Sequence, residues 1–346
     1  MKPIIAINYY FSEKDFGNRI FNLDSTSILS PYMRQLRDFM AERGVDVVTL
    51  DTVDFTDSRV KAVLYFEHNW RADRTDKFLE RIPYEKRALV LLEPAMVNPS
   101  MYFTNHWRKK FKTVFTWDLK LLKKHPEYVP INVPLGADPL RYRENPFADK
   151  TFERKKFLVA VSSNRWSYWP QSTFPLRRKV YRFMHKELGP DFDLFGHDWN
   201  RPCSRIEKVL GHTYGAWRGE IPGSWDEKVA RISDYKFMIC FENNCMQPGY
   251  VSEKIFDCFC ARTVPIYLGY KGVEDVLPQG AYVNFRHFKS LPLLLGYLKN
   301  ITSSEYAGFL AQIENCLAGG TMLKRTNAEI YSRIYDVVFN GGQGTC

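Results

Sequence analysis

Residues Lys236–Gly269, KFMICFENNCMQPGYVSEKIFDCFCARTVPIYLG, decide the reading of this chain. KFMICFE is a short, mostly apolar run of the kind that forms a buried strand. The polar break NNCMQPGY follows, with Pro248 and Gly249 as turn residues. Ser252 then stands before Glu253 and Lys254, and an apolar pattern starts at Ile255, Phe256 and Phe259. That order predicts a helix with Ser252 as N-cap and an acidic residue in its first turn. The helix gives out near Arg262, and VPIYLG reads as a second buried strand closed by glycine. Strand, loop, helix and strand make one βαβ unit of an open parallel sheet. Such sheets bind ligands at the carboxyl ends of their strands, which places the loop Glu242–Ser252 at a site.

The loop is more polar than a connector needs to be. Glu242, Asn243 and Asn244 stand at the strand end, and Glu253 and Lys254 open the helix. A helix N-terminus with free N–H groups and a lysine suits a phosphate, and a glutamate beside it can accept from ribose hydroxyls. A capping glutamate and a solvated lysine would leave the same residues at the same spacing.

FEN at Phe241–Asn243, then Tyr250-Val-Ser-Glu-Lys-Ile, then Thr263-Val-Pro-Ile-Tyr-Leu-Gly resembles the signature of glycosyltransferase family 10, the α-1,3/4-fucosyltransferases. The resemblance implies an α/β fold of GT-B architecture, with two Rossmann-like doubly wound domains facing a central cleft. It extends upstream. Val161-Ser-Ser-Asn164 followed by Pro175-Leu-Arg177 is similar to the family segment whose arginine binds the donor diphosphate, with Arg178 the neighbour that is easily confused with it. Asp193-Leu-Phe195-Gly196 resembles the strand end near the nucleotide base. Leu92-Glu93-Pro94 resembles the family's E-S-P element, and Phe115-Thr-Trp117-Asp and Val133-Pro-Leu-Gly136 are looser matches. The donor-binding residues implied are Asn164, Arg177, Phe195, Gly196, Glu242, Asn243, Tyr250, Ser252, Glu253 and Lys254. Glu93 is the implied general base, with Glu67 at the preceding strand end, beside His68, as its rival.

Composition bounds the remaining possibilities. The chain has 346 residues, 45% of them hydrophobic, which suits two globular domains with a core each. No run reaches the roughly 18 apolar residues of a membrane helix. MKPIIAINYYF at the start is interrupted by Asn8 and reads as a first strand rather than a signal peptide. The seven cysteines are scattered and odd in number, which argues for core thiols over a disulfide framework or a zinc site. The net charge of +10 is spread along the chain without a nucleic-acid motif. It suits acidic small ligands, and it leaves open both peripheral membrane contact through a basic surface and a merely solvated surface.

Strands are predicted at Pro3–Phe11, Val45–Leu50, Lys61–Phe66, Ala88–Leu92 and Thr113–Trp117. Helices are predicted at Pro31–Arg43, with Ser30 as N-cap and Gly44 as C-cap, at Arg74–Arg81 and around HWRKKF. The proline-rich Pro126–Lys156 reads as the connection to a second α/β alternation starting at Phe157. This gives a first, acceptor-binding domain over 1–150 and a nucleotide-sugar domain over 151–325. Residues 326–346 form a last helix crossing back to the first domain, with a disordered tail.

The implied reaction is attack of an acceptor hydroxyl on a sugar carbon bonded to a nucleotide diphosphate. Arg177, Lys254 and the helix N-terminus offset the leaving group's charge, with no metal required and no tightly bound cofactor. Asp191-Phe-Asp193 has the form of a metal-binding DxD triplet but precedes a strand in the wrong context. A single displacement implies an inverting transfer, L-fucose passing from GDP-β-L-fucose to an α linkage. The expected partners are a GDP-sugar donor and an oligosaccharide or glycolipid acceptor of the surface-polysaccharide or lipopolysaccharide type, with no nucleic acid. The expected location is cytoplasmic, with a peripheral position on the inner membrane face left open. A transferase of the same fold using another GDP-sugar, and a carbohydrate-binding protein without catalysis, share much of this pattern.

Overall fold

The computed structural model describes residues 1–9, 13–23, 25, 30–68, 76–136, 138–203, 207–208, 214–221 and 223–341. They divide into two compact units. The first comprises Met1–Gly136, Gln247–Gly249 and Arg325–Cys346; the second comprises Ala137–Met246 and Tyr250–Lys324.

The first unit is built on six parallel strands: β1 (Ile4–Tyr9), β2 (Asp46–Thr49), β3 (Val60–Phe66), β4 (Arg87–Leu91), β5 (Thr113–Thr116) and β6 (Val129–Pro130). Their order across the sheet is β2-β1-β3-β4-β5-β6. The strands read as near-continuous apolar runs because both faces are covered, as parallel sheets require. On one face lie helix α1 (Ser30–Ala41) and the last helix of the chain, Asn327–Phe339, whose Tyr331 hydroxyl donates to Tyr32 O at 2.9 Å. Phe55, Leu79, Met101 and Phe111 cover the other face. Gly44 has the positive φ, 74°, that ends α1 as expected.

Two expectations fail here. Of the helix expected at Arg74–Arg81, residues 74 and 75 lie outside the described residues, and Leu79–Arg81 is a single 3-10 turn. HWRKKF holds only the turn Arg108–Lys110. Arg108 is buried and donates to Thr104 O at 2.9 Å and to the Tyr128 hydroxyl at 3.1 Å, so tertiary bonds override helix propensity. The proline-rich stretch is not a plain connector either: Val129–Pro130 adds the sheet's edge strand, and the first unit ends at Gly136. The tail 342–346 lies outside the described residues.

The second unit has five parallel strands: β7 (Lys156–Val161), β8 (Phe192–Phe195), β9 (Tyr235–Phe241), β10 (Val264–Leu268) and β11 (Val283–Asn284), in the order β11-β10-β9-β7-β8. The helices that matter for the site are α2 (Phe174–Leu188) after β7 and α3 (Glu253–Cys260) after β9. The chain leaves β7 for β8 on one side and returns to β9 on the other. Neighbouring strands therefore send their connections apart, and a crevice opens at the carboxyl ends of β7 and β9. In the first sheet the corresponding reversal lies between β1 and β3, where Glu67 follows β3.

Candidate functional site

Glu242 is the first residue after β9 and is wholly buried. Its carboxylate accepts from Ser252 N at 2.8 Å and from Ser252 Oγ at 2.6 Å, and it lies 3.5 Å from Lys254 Nζ. The Tyr267 hydroxyl is 3.4 Å away. One carboxylate thus folds the loop back onto its own strand and fixes where α3 begins. This corrects two expectations. Ser252 occupies the N-cap position with extended backbone, but its hydroxyl caps nothing, being spent on Glu242. Glu242 supports the site from behind, because no edge of it reaches the surface.

Lys254 Nζ sits 3.0 Å from Ser252 Oγ and 3.6 Å from the Glu253 carboxylate. Burial alone would push its pKa down; the Glu253 and Glu242 charges hold it above its ordinary value, while the Arg177 guanidinium opposes them. The Glu253 carboxyl is held low although burial acts to raise it, because Lys254 and Lys228 outweigh that.

Arg177 comes from the first turn of α2 and is buried. Its Nη2 donates to Phe241 O and, at 3.0 Å, to Asn243 Oδ1. Thr173 before it donates from Oγ1 to Glu242 O and from its N–H to Asn243 O at 3.1 Å. Among the described residues, no carboxylate is paired with Arg177. The fold therefore brings two cations from helices 77 positions apart in sequence close enough to repel each other. A buried guanidinium held by a carbonyl and an amide keeps its full charge and suits an anionic ligand.

The neighbouring arginine has a different task. Arg178 donates to Glu207 in a buried ion pair and to Asn164 Oδ1. Asn164 Nδ2 in turn donates to Asp198 O at 3.0 Å and Arg201 O at 2.8 Å. Asn164 is thus consumed in holding that loop, which corrects its expected contact with the donor. Phe195 is buried at the end of β8. Gly196 has φ 123°, and a Cβ there would lie 2.2 Å from Ser162 O. Gly196→Ala should therefore destabilise the protein by about 1–3 kcal/mol, read as the shift of the urea-unfolding midpoint; an unmoved midpoint would contradict the crowding. Tyr250 is buried as well. Asp193 has both carboxylate oxygens engaged, by Arg218 at 2.6 Å and by the Tyr235 hydroxyl at 2.7 Å and Lys156 at 3.3 Å. It is a strand-anchoring ion pair. Among the described residues there is no cluster of three or more His, Cys, Asp or Glu able to hold a metal ion.

In the first unit Glu93 follows β4 and its side chain is half-buried. Glu67 is 2% exposed, and its Oε1 accepts from the N–H of Leu92 and, at 2.7 Å, from that of Glu93. Its Oε2 accepts from Asn98 Nδ2 at 2.5 Å. Burial pushes the Glu67 carboxyl up to about 8; the Glu93 N–H opposes this, and the Glu93 charge adds to it. Folding thus favours neutral Glu67. The stability this gives is full below the ordinary value of 4.5 and is lost as the pH rises through 8. Glu67→Gln should flatten the fall of unfolding free energy over that window, and parallel curves for variant and wild type would refute the assignment. Gln247 also went unnoticed in the sequence. Its Oε1 accepts from Ala95 N at 2.8 Å and its Nε2 donates to Asp118 at 2.6 Å. Nothing in an isolated glutamine beside Pro-Gly signals that.

Residues 176–311 match the family model described as glycosyltransferase family 10 (fucosyltransferase), C-terminal part. These residues form a glycosyltransferase family 10 domain. The chain is 34% identical over 112 residues to the alpha-(1,3)-fucosyltransferase FucT of Helicobacter pylori, a match covering 32% of this chain and 23% of that protein. It is 32% identical over 173 residues to the human 4-galactosyl-N-acetylglucosaminide 3-alpha-L-fucosyltransferase 9, covering 49% and 40%. The matched part is thus less than half the length of these relatives. A solved alpha1,3-fucosyltransferase with GDP superposes with a TM-score of 0.59 at 18% identity, covering 99% of this chain and 92% of that one. An alpha-glucosyltransferase with UDP gives 0.60 at 10% identity, covering 97% and 99%. These likenesses show the GT-B fold around the family 10 domain.

The family 10 relatives also correct the expected stereochemistry. They are named as α-fucosyltransferases, which gives the configuration of the product and does not name an inversion. The inverting course is therefore withdrawn.

Proposed function

We propose that this chain is a glycosyltransferase that moves L-fucose from GDP-fucose to a hydroxyl of a glycan acceptor, forming an α linkage. The observation that carries this reading is the pair Arg177 and Lys254, set at the crevice of a family 10 domain, with no carboxylate among the described residues paired to the guanidinium. The leaving diphosphate gathers negative charge as the sugar–oxygen bond breaks, and preorganised cations and N–H donors lower that barrier. In this reading Arg177, Lys254 and the first turn of α3 supply them, Glu253 accepts from ribose hydroxyls, and Asn243, whose Oδ1 accepts from Arg177 at 3.0 Å, holds the guanidinium in position. The acceptor oxygen must lose its proton, and Glu93 takes it. A solved alpha1,3-fucosyltransferase of this fold is described with GDP-fucose, and relatives are named for galactosyl-N-acetylglucosaminide acceptors. The proposal for this chain is an acceptor of that disaccharide type, carried on a surface polysaccharide or lipopolysaccharide. No helix among the described residues is long and apolar enough to cross a membrane. The charge of +10 favours a peripheral position at the cytoplasmic membrane face.

A thermal-shift panel tests the donor. Ligand at a hundred times its Kd adds about 2.7 kcal/mol of stability, so GDP should raise the Tm and UDP and CMP should not. GDP-fucose should turn over with a galactosyl-N-acetylglucosamine acceptor. Stabilisation by UDP alone would overturn the reading; turnover of another GDP-sugar would reassign the sugar, and tight binding without turnover would leave a carbohydrate-binding protein. Because the cations are the chain's own, EDTA should leave most activity. Complete loss restored by Mn²⁺ would defeat that part.

A further inference from the structure

The backbone that carries Glu93 is held almost entirely by side chains. Leu92 and Glu93 lie beyond the last residue of β4, past the ladder that would otherwise bond them. Their two N–H groups both donate to Glu67 Oε1. Leu92 O accepts from Trp117 Nε1 at 2.9 Å, and Glu93 O from the Tyr102 hydroxyl at 2.6 Å. Glu67 itself has φ 69°, a left-handed backbone that a long side chain adopts only when its surroundings insist. Asn98, buried like Glu67, donates to Glu67 Oε2 and also to His68 O at 2.8 Å, so the end of β3 and the far end of the turn are tied through one amide. A buried carboxyl in a strained backbone, gripping two consecutive N–H groups of another strand's end, is more than a core needs.

We infer that Glu67 is a positioning residue for the transfer. From behind the turn its carboxyl holds the Leu92–Glu93 backbone, so that the Glu93 carboxylate is presented to the acceptor hydroxyl in one orientation. The inference rests on the reading of Glu93 as proton acceptor. Glu67 touches neither substrate; its effect passes through Glu93. A displacement of about 1 Å in a reacting group is enough to cost roughly 10²-fold, and loss of the grip frees the turn by that order. Glutamine keeps one acceptor oxygen for the two N–H groups but turns an NH₂ toward the Asn98 amide, so it loosens only one end.

The test is a double-variant cycle in the full chain, assayed with GDP-fucose and a galactosyl-N-acetylglucosamine acceptor, with GDP affinity measured alongside. Glu67→Ala should lower kcat by roughly 10²-fold and Glu67→Gln by roughly 10-fold, each with unchanged GDP affinity. Adding either to Glu93→Gln should slow the enzyme no further, since the positioned group is already gone. If Glu67→Ala does not fold, Glu67→Gln carries the same cycle. Losses that multiply in the double variant would overturn the inference and leave the base reading standing, as would wild-type kcat in both single Glu67 variants. A Glu93→Gln enzyme at the wild-type rate would overturn the base reading, and this inference with it.

Discussion

Glu93→Gln should lower kcat by roughly 10²-fold or more while GDP affinity and unfolding midpoint stay at wild-type values. The amide is nearly isosteric and leaves the main-chain bonds of Glu93 to Glu67 and Tyr102 in place, so the fold has no reason to change. What is removed is the one group of this turn that can accept a proton while partly open to solvent. Glu67, the rival by position, is 2% exposed, has both oxygens occupied by donors, and carries a carboxyl pushed up to about 8. It is therefore largely protonated at neutral pH and cannot serve as a base there. The measurement is kcat under saturating GDP-fucose and acceptor. A Glu93→Gln enzyme within a few-fold of wild type would remove Glu93 from the proton transfer.

Lys254→Ala should reduce kcat/KM by roughly 10–10²-fold, since a charged hydrogen bond contributes about 1.5–3 kcal/mol. It should also weaken GDP binding. Besides its proposed diphosphate contact, the ammonium neutralises the buried Glu242, 3.5 Å away, so its loss leaves that carboxylate poorly compensated. Arg177→Ala should act in the same direction, through donor affinity. Arg178→Ala is the informative contrast. Its guanidinium belongs to the buried pair with Glu207, so it should cost about 3–5 kcal/mol of stability before donor affinity is touched. Wild-type kcat/KM in both Lys254→Ala and Arg177→Ala, measured on folded protein, would remove the diphosphate from this end of the sheet.

The alternation of apolar runs with amphipathic stretches was enough to read two doubly wound sheets, because strands buried on both faces must be apolar throughout and helices covering them must carry one apolar stripe. FEN, Y-V-S-E-K and V-P-I-Y-L-G placed the loop, α3 and β10 correctly for a related reason: a site built at one strand end draws its residues from adjacent positions, and their spacing survives in the chain. Pro175 and Leu176 pointed to Arg177 as the proposed donor contact, although spacing alone left it beside an equally charged rival. The structure separates the two by direction on the helix: Arg177 points to Phe241 and Asn243, Arg178 to Glu207.

Only the tertiary structure decided what each polar group spends its bonds on. Ser252 looks like a cap, Asn164 like a ligand contact and Glu67 like a free strand-end carboxylate until their partners are known. Those partners stand 10, 14 and 26 positions away, at separations set by how strands and helices pack. A sequence determines which groups are available and the period on which they fall. Whether a carboxylate meets solvent or two buried N–H groups depends on the desolvation that packing imposes, and a pattern of residues along a chain carries no record of that.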